Sequence, residues 1–553
     1  MKGADWLAGS LAASGQTHVF FVDAVLRPTL LALSRIGVKP VLGHTEKAAV
    51  YMADAYARVS GRPGVVACQS VGAANLAAGL QDAFLARSPV IALTGRKPPV
   101  AQHRNAYQEV AHAPLFQAVT KFSAEVEQAA HLPRLLRQAW AAAVTVPTRP
   151  THLDLNGLMA EIIEQGSVDE PPADLSALAV PRFRAAPDPD AVAAAVAAVA
   201  TPGRIVILAG DGALQSGCGA EVLALAEALE APVLTTLGAR SLLPTRHPRV
   251  AGVAGTYSSA PANQVLEMAS LVVAIGCDLG DQVTHGWRLP RAGVPLIQID
   301  ADPLEFDRSL PATVALLGDP RAVLREVLDQ LGPQSRDATF AADAAALVAA
   351  WRESVAPRLA SEVVPIDPAR LCAEITAALP ADAILVADTG YSGIWTGTLV
   401  DLDAQGYQRA AGSLGWAFPA ALGAKCAAPG RPVVCWSGDG AFHYHLAELE
   451  TAKRLGLAVV CIINNNGGFG QGWPNVRRMA GNDSDAAAEL LRFGGGSDFA
   501  AIARGFGLRG ITVDRPEAIG PALREALAAG ETVVIDVRTD IESRAPEPYT
   551  PAE

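Results

Sequence analysis

Short apolar runs recur along the whole chain, and alanine-rich stretches with helical spacing lie between them. Apolar runs bounded by turn residues predict buried strands, and longer stretches such as residues 46–58 predict helices. Strands that alternate with helices are typical of parallel α/β sheets. The predicted strands are residues 19–22, 65–68, 90–95, 151–155, 204–210, 232–238, 271–276, 295–300, 383–390, 431–440, 457–466 and 532–537.

Two interruptions divide this pattern into three blocks. Residues 164–190 are polar and proline-rich and predict a linker, and a second weakly patterned stretch, with an alanine-rich helix, lies around residues 331–362. A chain of 553 residues is long enough for about three domains. We therefore predict three doubly wound α/β domains with mainly parallel sheets, at residues 1–165, 186–335 and 363–553.

Composition excludes several classes of protein. The formal net charge is −12 and there is no basic stripe, so nucleic acid is not an expected partner. No run reaches the roughly 20 apolar residues of a membrane span, and the N-terminus lacks the apolar stretch of a signal peptide. The seven cysteines lie singly, which favours small buried hydrophobes over a zinc site or disulfides. We expect a cytoplasmic protein with no membrane partner.

Two oxygen ligands follow neighbouring predicted strands in the third block. One strand ends in a Gly-Asp-Gly turn at 438–440, and the next ends in three asparagines at 464–466. Both strands of a βαβ unit end at the same sheet edge, so Asp439 and Asn466 can converge on one cation. Mg²⁺ takes about six oxygens, several of them from phosphates and water. The helix predicted from about Phe442 places its N-terminus where phosphates bind well.

A second Gly-Asp-Gly turn serves as an internal comparison. Residues 210–212 also follow an apolar strand, but Gly238 stands where the third block has its asparagine. This turn lacks the amide that completes a metal site. We predict a simple strand-to-helix turn without a metal there.

The metal motif resembles that of thiamine-diphosphate (ThDP) enzymes, and the resemblance covers the whole chain. The layout is similar to the acetolactate synthase, pyruvate oxidase and benzoylformate decarboxylase group, and closest to the acetolactate synthase catalytic subunit. It implies a pyrimidine-binding ThDP domain first, a Rossmann-like central domain, and a diphosphate- and Mg²⁺-binding ThDP domain last. The implied Mg²⁺ ligands are Asp439, Asn466 and the carbonyl of Gly468. The implied diphosphate contacts beside them are Gly438, Gly440, Ala441 and Phe442.

Glu46 matches the catalytic glutamate of these enzymes. ThDP loses a proton from its thiazolium carbon to its own aminopyrimidine, and that ring is activated by a carboxylic group in a mostly apolar pocket. His44 matches a histidine that often precedes this glutamate. His443 and His445 lie where the synthases tend to carry apolar residues, and either could shuttle protons because histidine titrates near neutrality.

Other segments resemble the family's cofactor contacts. Residues 411–424 resemble the segment under the bent cofactor, with Leu414 as the apolar wedge. Gln108 matches a glutamine that reaches toward the reacting atoms, where its amide could stabilise a developing oxyanion. Nearby cations could steer a substrate carboxylate, and these are Arg96, Lys97, His103 and Arg104. The remaining implied cofactor contacts are Gly72, Asn75, Gly390, Tyr391, Ser392, Gly393, Gly412 and Ser413.

The resemblance implies a 2-oxo acid decarboxylase or carboligase that acts through an enamine on the thiazolium. One alternative is a 2-hydroxyacyl-CoA lyase or CoA-linked decarboxylase, and another is a catalytically inactive regulatory subunit. The central block resembles family members that bind FAD and others that bind ADP, so both stay open. Relatives of this layout share active sites between subunits, which implies a homodimer or a dimer of dimers acting on a small-molecule substrate.

Overall fold

The protein, described by a computed structural model, contains three sheets of six parallel strands with flanking helices. This arrangement confirms the predicted α/β class with three doubly wound domains. The predicted end of the central domain at residue 335, and the chain end at 553, lie outside the described residues; the other domain boundaries stay predictions. The structure describes residues 1–332, 338–481, 483–494 and 496–551.

The first sheet has the strand order β2-β1-β3-β4-β6-β5. Its strands are β1 (His18–Phe21), β2 (Lys39–Leu42), β3 (Gly64–Gln69), β4 (Val90–Arg96), β5 (Phe122–Val126) and β6 (Thr151–Asn156). Its helices are α1 (Gly3–Ala13), α2 (Arg27–Arg35), α3 (Glu46–Ser60), α4 (Gly72–Leu85), α5 (His112–Gln117), α6 (Leu132–Val144) and α7 (Glu161–Gln165).

The central sheet has the order β12-β11-β10-β7-β8-β9. Its strands are β7 (Ile205–Ala209), β8 (Val233–Thr235), β9 (Val250–Val253), β10 (Leu271–Ile275), β11 (Leu296–Asp300) and β12 (Val314–Leu317). Its helices are α8 (Pro189–Ala200), α9 (Asp211–Ser216), α10 (Gly219–Ala228), α11 (Ala260–Glu267) and α12 (Pro320–Gln330), and α13 (Thr339–Leu359) leads on to the third domain.

The third sheet has the order β14-β13-β15-β16-β18-β17. Its strands are β13 (Ile384–Ala387), β14 (Gly406–Arg409), β15 (Val433–Gly438), β16 (Val460–Asn465), β17 (Arg509–Val513) and β18 (Val533–Arg538). Its helices are α14 (Pro368–Ala378), α15 (Tyr391–Leu399), α16 (Ala417–Ala427), α17 (Asp439–His443), α18 (Glu448–Leu455), α19 (Trp473–Ala480), α20 (Ser484–Leu491), α21 (Phe499–Gly505) and α22 (Ile519–Ala528).

The apolar runs correspond to the inner strands of the three sheets. Each predicted strand is present, with ends that differ by a few residues. The strands that the pattern misses are β2, β5, β9, β12, β14 and β17, and these are the edge strands of the three sheets. Inner strands of a parallel sheet are covered on both faces and read as continuous apolar runs, whereas edge strands keep exposed positions and lose that signal.

Helices α3 and α16 bring the first and third domains together. A Cβ on Gly423 would lie 2.0 Å from the carbonyl oxygen of Met52, so only glycine permits this close approach of the two helices. The buried carboxylate of Asp54 accepts the indole N–H of Trp416 at 2.9 Å and also pairs with Arg58. The two ThDP-type domains therefore share one continuous apolar core across their junction.

Two expectations from composition can be compared with the fold. All seven cysteines are buried and unpaired, as predicted from their apolar surroundings. Within the described ranges, none of the helices combines the length and the apolar character that crossing a membrane requires.

Candidate active site

Three loops meet at one edge of the third sheet. They follow β13, β15 and β16, which are neighbours in parallel register, and Gly438 is paired with Asn464. Since parallel strands end at the same edge, the turns at 388–393, 438–442 and 466–470 lie side by side. The short helix α17 begins at Asp439, three residues before the predicted start, because the chain turns directly out of the extended Gly438.

Asp439 and Asn466 are held by the same backbone N–H. The Gly468 N–H donates to Asp439 Oδ2 at 3.1 Å and to Asn466 Oδ1 at 3.2 Å, and the Gly467 N–H donates to Asp439 Oδ2 at 2.6 Å. Asp439 is 2% exposed, and burial raises the pKa of its carboxyl to about 6 although three N–H donors oppose that shift. A buried carboxylate oxygen and an amide oxygen thus lie together, as a hard cation requires.

The glycines around this turn region differ in how much open space they border. A Cβ added at Gly412 or Gly467 would meet no atom within 4 Å. At Gly210 a Cβ would lie 2.3 Å from the carbonyl oxygen of Gly276, and at Gly212 it would lie 2.9 Å from the Cα of the same residue. Gly412 and Gly467 therefore border space that a diphosphate can fill. Gly440, where a Cβ would lie 2.6 Å from Phe469 Cε1, and the glycines at 210–212 instead serve contacts within the protein.

The 390–393 turn joins β13 to α15 at the same edge. Gly390 has a φ of +68°, and a Cβ there would lie 2.6 Å from Oε1 of Gln471, which closes over the turn from the loop after β16. Tyr391, Ser392 and Gly393 form the first turn of α15, so their backbone N–H groups point out of the helix N-terminus. These donors and the Asp439–Asn466 pair suit a metal-bound diphosphate.

Two buried aspartates that are not among the predicted site residues hold the 411–417 segment. The carboxylate of Asp82, in α4, accepts the N–H groups of residues 411, 412 and 413 at 2.9–3.0 Å. Asp388 accepts from Gly415 and Ala417, and burial raises the pKa of Asp388 to about 7. The segment that carries Leu414 is therefore fixed from both domains. For Asp82, the available signal was a carboxylate on the buried face of the helical stretch that forms α4.

Glu46 is the first residue of α3. Thr45 caps this helix by accepting the Ala48 N–H at 3.1 Å. The Glu46 carboxylate accepts from Asn75 Nδ2 at 3.2 Å, and a Cβ on Gly72 would lie 2.5 Å from Glu46 Oε1. Glu46, Gly72 and Asn75, predicted as separate site residues, are thus brought together.

Gln108 lies against the same turn of the first domain. Its φ is +60°, and its carbonyl oxygen accepts the hydroxyl of Ser70, which precedes Gly72 by two residues. The Ser70 carbonyl in turn accepts from Nε2 of buried His112 at 3.0 Å, and His112 Nδ1 lies 2.9 Å from Asp154. A buried polar chain therefore sets the backbone of Gln108, while its amide donates to the Tyr107 hydroxyl at 3.3 Å.

His44 and His445 lie on either side of the Glu46 helix start. His44 pairs with Glu450 at 2.9 Å, and its backbone N–H donates to Glu448 at 2.9 Å. His445 is buried with Nδ1 3.4 Å from the Thr45 hydroxyl, and burial lowers its pKa to about 4. Neither imidazole has a contact with the Glu46 carboxylate, and His445 is uncharged near neutrality.

Other predicted residues have local partners. His443 lies 2.9 Å from the Ser497 hydroxyl and beside the ring of Phe499. Phe442 packs against Phe418 and Phe499 in the core, so only its backbone, with that of Gly440 and Ala441, faces the turn region. Arg96 is buried and paired with Glu125, Glu127 and Asp154, so acids of its own domain surround its guanidinium.

The comparisons with known proteins agree with this geometry. Three family models match in order: thiamine pyrophosphate enzyme, N-terminal TPP binding domain, at residues 1–115; central domain, at 192–327; and C-terminal TPP binding domain, at 388–537. Together with the fold, they define a ThDP-dependent enzyme.

Relatives that match nearly the full chain show to which group of ThDP-dependent enzymes it belongs. A probable acetolactate synthase large subunit from Methanocaldococcus jannaschii is 30% identical over 98% of this chain and 92% of its own. A probable 2-ketoarginine decarboxylase from Pseudomonas aeruginosa is 33% identical, over 90% and 87%. A sulfoacetaldehyde acetyltransferase from Alcaligenes xylosoxydans xylosoxydans is 29% identical, over 95% and 91%. The chain therefore belongs to the acetolactate synthase group of ThDP-dependent enzymes.

Proposed function

We propose that the protein is a Mg²⁺- and ThDP-dependent 2-oxo acid decarboxylase or carboligase. The observation that carries the proposal is the Asp439–Asn466 pair on one N–H, at a sheet edge where glycines border open space. The names of the relatives include an acetolactate synthase and a 2-ketoarginine decarboxylase, which favour a 2-oxo acid as donor. When bound, ThDP supplies a nucleophilic carbon and an electron sink for bond cleavage beside the substrate carbonyl.

The third domain supplies the anchoring groups in this proposal. Asp439, Asn466 and the carbonyl of Gly468 would hold Mg²⁺, an ion that prefers oxygen ligands. The N–H groups of the 390–393 turn and of α17 receive the diphosphate. Among the described residues, no three His, Cys, Asp or Glu side chains form a metal-binding group, so the ion relies on these mixed oxygen ligands.

The first domain supplies the groups that act on protons. Glu46, on the Gly72–Asn75 surface, binds the far ring nitrogen of the aminopyrimidine and holds a proton there. Gln108 reaches toward the substrate oxygen, where its amide donates a hydrogen bond as negative charge develops. The Ser70 hydroxyl holds the Gln108 backbone for this role.

We also propose that two subunits share each site. Val71, Tyr107 and Val110 are exposed apolar side chains beside the Glu46 turn and the Gln108 loop, and a partner subunit would cover them. The Glu46 carboxylate has contacts only to its own domain among the described residues. A homodimer or a dimer of dimers follows from this proposal.

A flavin or an adenine nucleotide in the central domain stays a prediction. The 210–212 turn gives no support to pyrophosphate binding at that position, because Gly276 occupies the space beside Gly210 and Gly212. The visible absorbance spectrum of the purified protein tests for flavin, and an acid extract separated by chromatography tests for ADP.

The proposed reaction is tested with a panel of 2-oxo acids. Protein reconstituted with ThDP and Mg²⁺ is given pyruvate, longer aliphatic 2-oxo acids and a guanidino 2-oxo acid, and released CO₂ is measured with and without an aldehyde or second 2-oxo acid as acceptor. CO₂ release that requires both cofactors, and that Asp439→Ala abolishes, supports the proposal. A protein that binds ThDP with Mg²⁺ but releases no CO₂ from any member contradicts it.

A further inference from the structure

A buried arginine of the central domain reaches into the third domain. Arg240 is 4% exposed and follows β8, and its guanidinium donates to the carbonyl oxygens of Thr396 and Val400. These two acceptors lie at the C-terminal end of α15, the helix whose first turn is the 390–393 turn. Arg240 thus binds the end of α15 that is opposite to the candidate diphosphate contacts.

The chemistry of this contact is unusual for a structural arginine. Among the described residues, no carboxylate lies within ion-pair distance of Arg240, although arginine stays charged in proteins and its burial without an acid is unfavourable. Its charge is balanced by carbonyl oxygens and by the face of the Tyr407 ring, 5.2 Å away. A cation at a helix C-terminus complements the helix dipole and satisfies carbonyls that lack intrahelical partners.

A second contact from the same segment fixes the side of α15. A Cβ on Gly397 would lie 2.3 Å from Leu237 Cδ1, and one on Gly393 would lie 3.6 Å from Leu237 Cδ2. Residues 393 and 397 are one helical turn apart and share a face, so Leu237 packs along it. The central-domain segment 237–240 therefore determines both the axial and the lateral position of α15.

We propose that Arg240 is a positioning residue that sets the 390–393 turn for the diphosphate. The inference rests on the proposed function, in which this turn receives the cofactor. Arg240 touches neither cofactor nor substrate, so its loss should weaken ThDP binding and leave turnover at saturating ThDP largely unchanged. A general loss of stability would not weaken ThDP binding and at the same time leave turnover at saturating ThDP unchanged, so measuring both quantities distinguishes the two explanations.

The chain offers a matched control. Arg246 is also a central-domain cation that contacts the third domain just past α15, through an exposed ion pair with Asp401 at 2.6 Å. In the described part of the chain, Arg246 has no hydrogen bond to a carbonyl of α15, and ion pairs of exposed side chains contribute little. Arg246→Ala therefore reports on the domain junction without releasing α15.

The experiment is a titration of ThDP at saturating Mg²⁺, followed by the fluorescence of Trp395 and the other tryptophans, for wild type, Arg240→Gln, Arg240→Lys and Arg246→Ala. We expect the dissociation constant to rise about tenfold for Arg240→Gln, less for Arg240→Lys, and less than about twofold for Arg246→Ala. Turnover at saturating ThDP and unfolding without ThDP are measured for each variant. Arg240→Lys keeps the positive charge and a hydrogen-bond donor. If Arg240→Gln does not fold, the dissociation constant of Arg240→Lys is the one compared with wild type.

The titration distinguishes failure of the proposed function from failure of the positioning role of Arg240. Wild type that shows no Mg²⁺-dependent ThDP binding contradicts the proposed function itself. Wild type that binds, with Arg240 variants that bind as tightly as Arg246→Ala, overturns the positioning role. Weaker binding in the Arg240 variants with turnover retained at saturating ThDP supports it, and lost turnover at saturating ThDP overturns it.

Discussion

The carboxylate of Asp439 and the amide oxygen of Asn466 accept from one N–H, that of Gly468. They come from the ends of β15 and β16, which are adjacent and in register. A shared donor holds both oxygens near one point. Metal binding at this place then needs little rearrangement of the backbone.

Asp439→Ala should abolish Mg²⁺-dependent ThDP binding, because it removes the only carboxylate of the proposed ligand set. Asp211→Ala is the matched control, since Asp211 also lies in a Gly-Asp-Gly turn after an apolar strand but faces Gly238 instead of an asparagine. ThDP is titrated into each variant with Mg²⁺ and with EDTA. Equal loss of binding in the two variants would contradict the proposal that Asp439, and not Asp211, is a metal ligand.

Glu46→Gln should reduce turnover by more than about tenfold, a barrier change above roughly 1.4 kcal/mol, while ThDP binding is largely retained. The amide keeps the contact to Asn75 but cannot hold the proton that ring activation requires. Steady-state turnover at saturating ThDP and a binding titration are compared. Turnover above about a tenth of wild type would remove Glu46 from the proposed chemistry.

Mixing inactive Glu46→Gln with inactive Asn466→Ala subunits should restore activity if two subunits share each site. A mixed dimer then carries one site with both changes and one site with neither, so it should approach about half of wild-type activity. Subunit exchange is followed by native mass spectrometry of differently tagged chains. Exchange without any recovered activity means that each chain builds its site alone.

Asp388→Asn should flatten the dependence of stability on pH. The pKa of Asp388 is raised by burial to about 7 from an ordinary value of 3.8, so the folded protein binds this proton more tightly than the unfolded chain does. The free energy of unfolding should therefore fall as pH rises from about 4 to about 7, by up to about 4 kcal/mol from this group. Asparagine has no such proton to lose.

The measurement is urea unfolding followed by tryptophan fluorescence at about pH 5 and about pH 8. The variant loses one of the N–H contacts to residues 415 and 417, so its absolute stability falls, and only the change between the two pH values is compared. Asp403→Asn, at an exposed position, is the control. An unchanged slope in Asp388→Asn would show that this carboxyl does not titrate in the range given.

The local hydrophobic pattern predicted the inner strands of the three sheets but not their edge strands. Strands such as β7 and β16 are covered on both faces, so their sequences are continuous apolar runs. The edge strand β17 has only one buried residue, Val513, and β14 is only partly covered, so neither forms a continuous apolar run that differs from a loop at the sequence level. The missing strands are therefore explained by their place in the sheet.

In the candidate site too, one part could be predicted from the sequence and another part could not. The predicted proximity of Asp439 and Asn466 followed from the chain alone, because a βαβ unit places consecutive strand ends side by side. The positions of Asp82 and Asp388 around the 411–417 segment did not, because their partners are backbone N–H groups distant in sequence. No local periodicity reports such a partner.

The sequence by itself determined the three-domain α/β class, the inner strands and the metal motif, since each depends on residues close along the chain. Tertiary structure decided which groups hold those parts in place, from the Ser70–Gln108 contact to the Arg240 contact with α15. It also showed how two Gly-Asp-Gly turns that look alike in sequence differ in their partners: Asp439 shares the Gly468 N–H with Asn466, whereas Asp211 lies against Gly238. Contacts between distant segments are set by how the domains dock, and that information is spread over the whole chain.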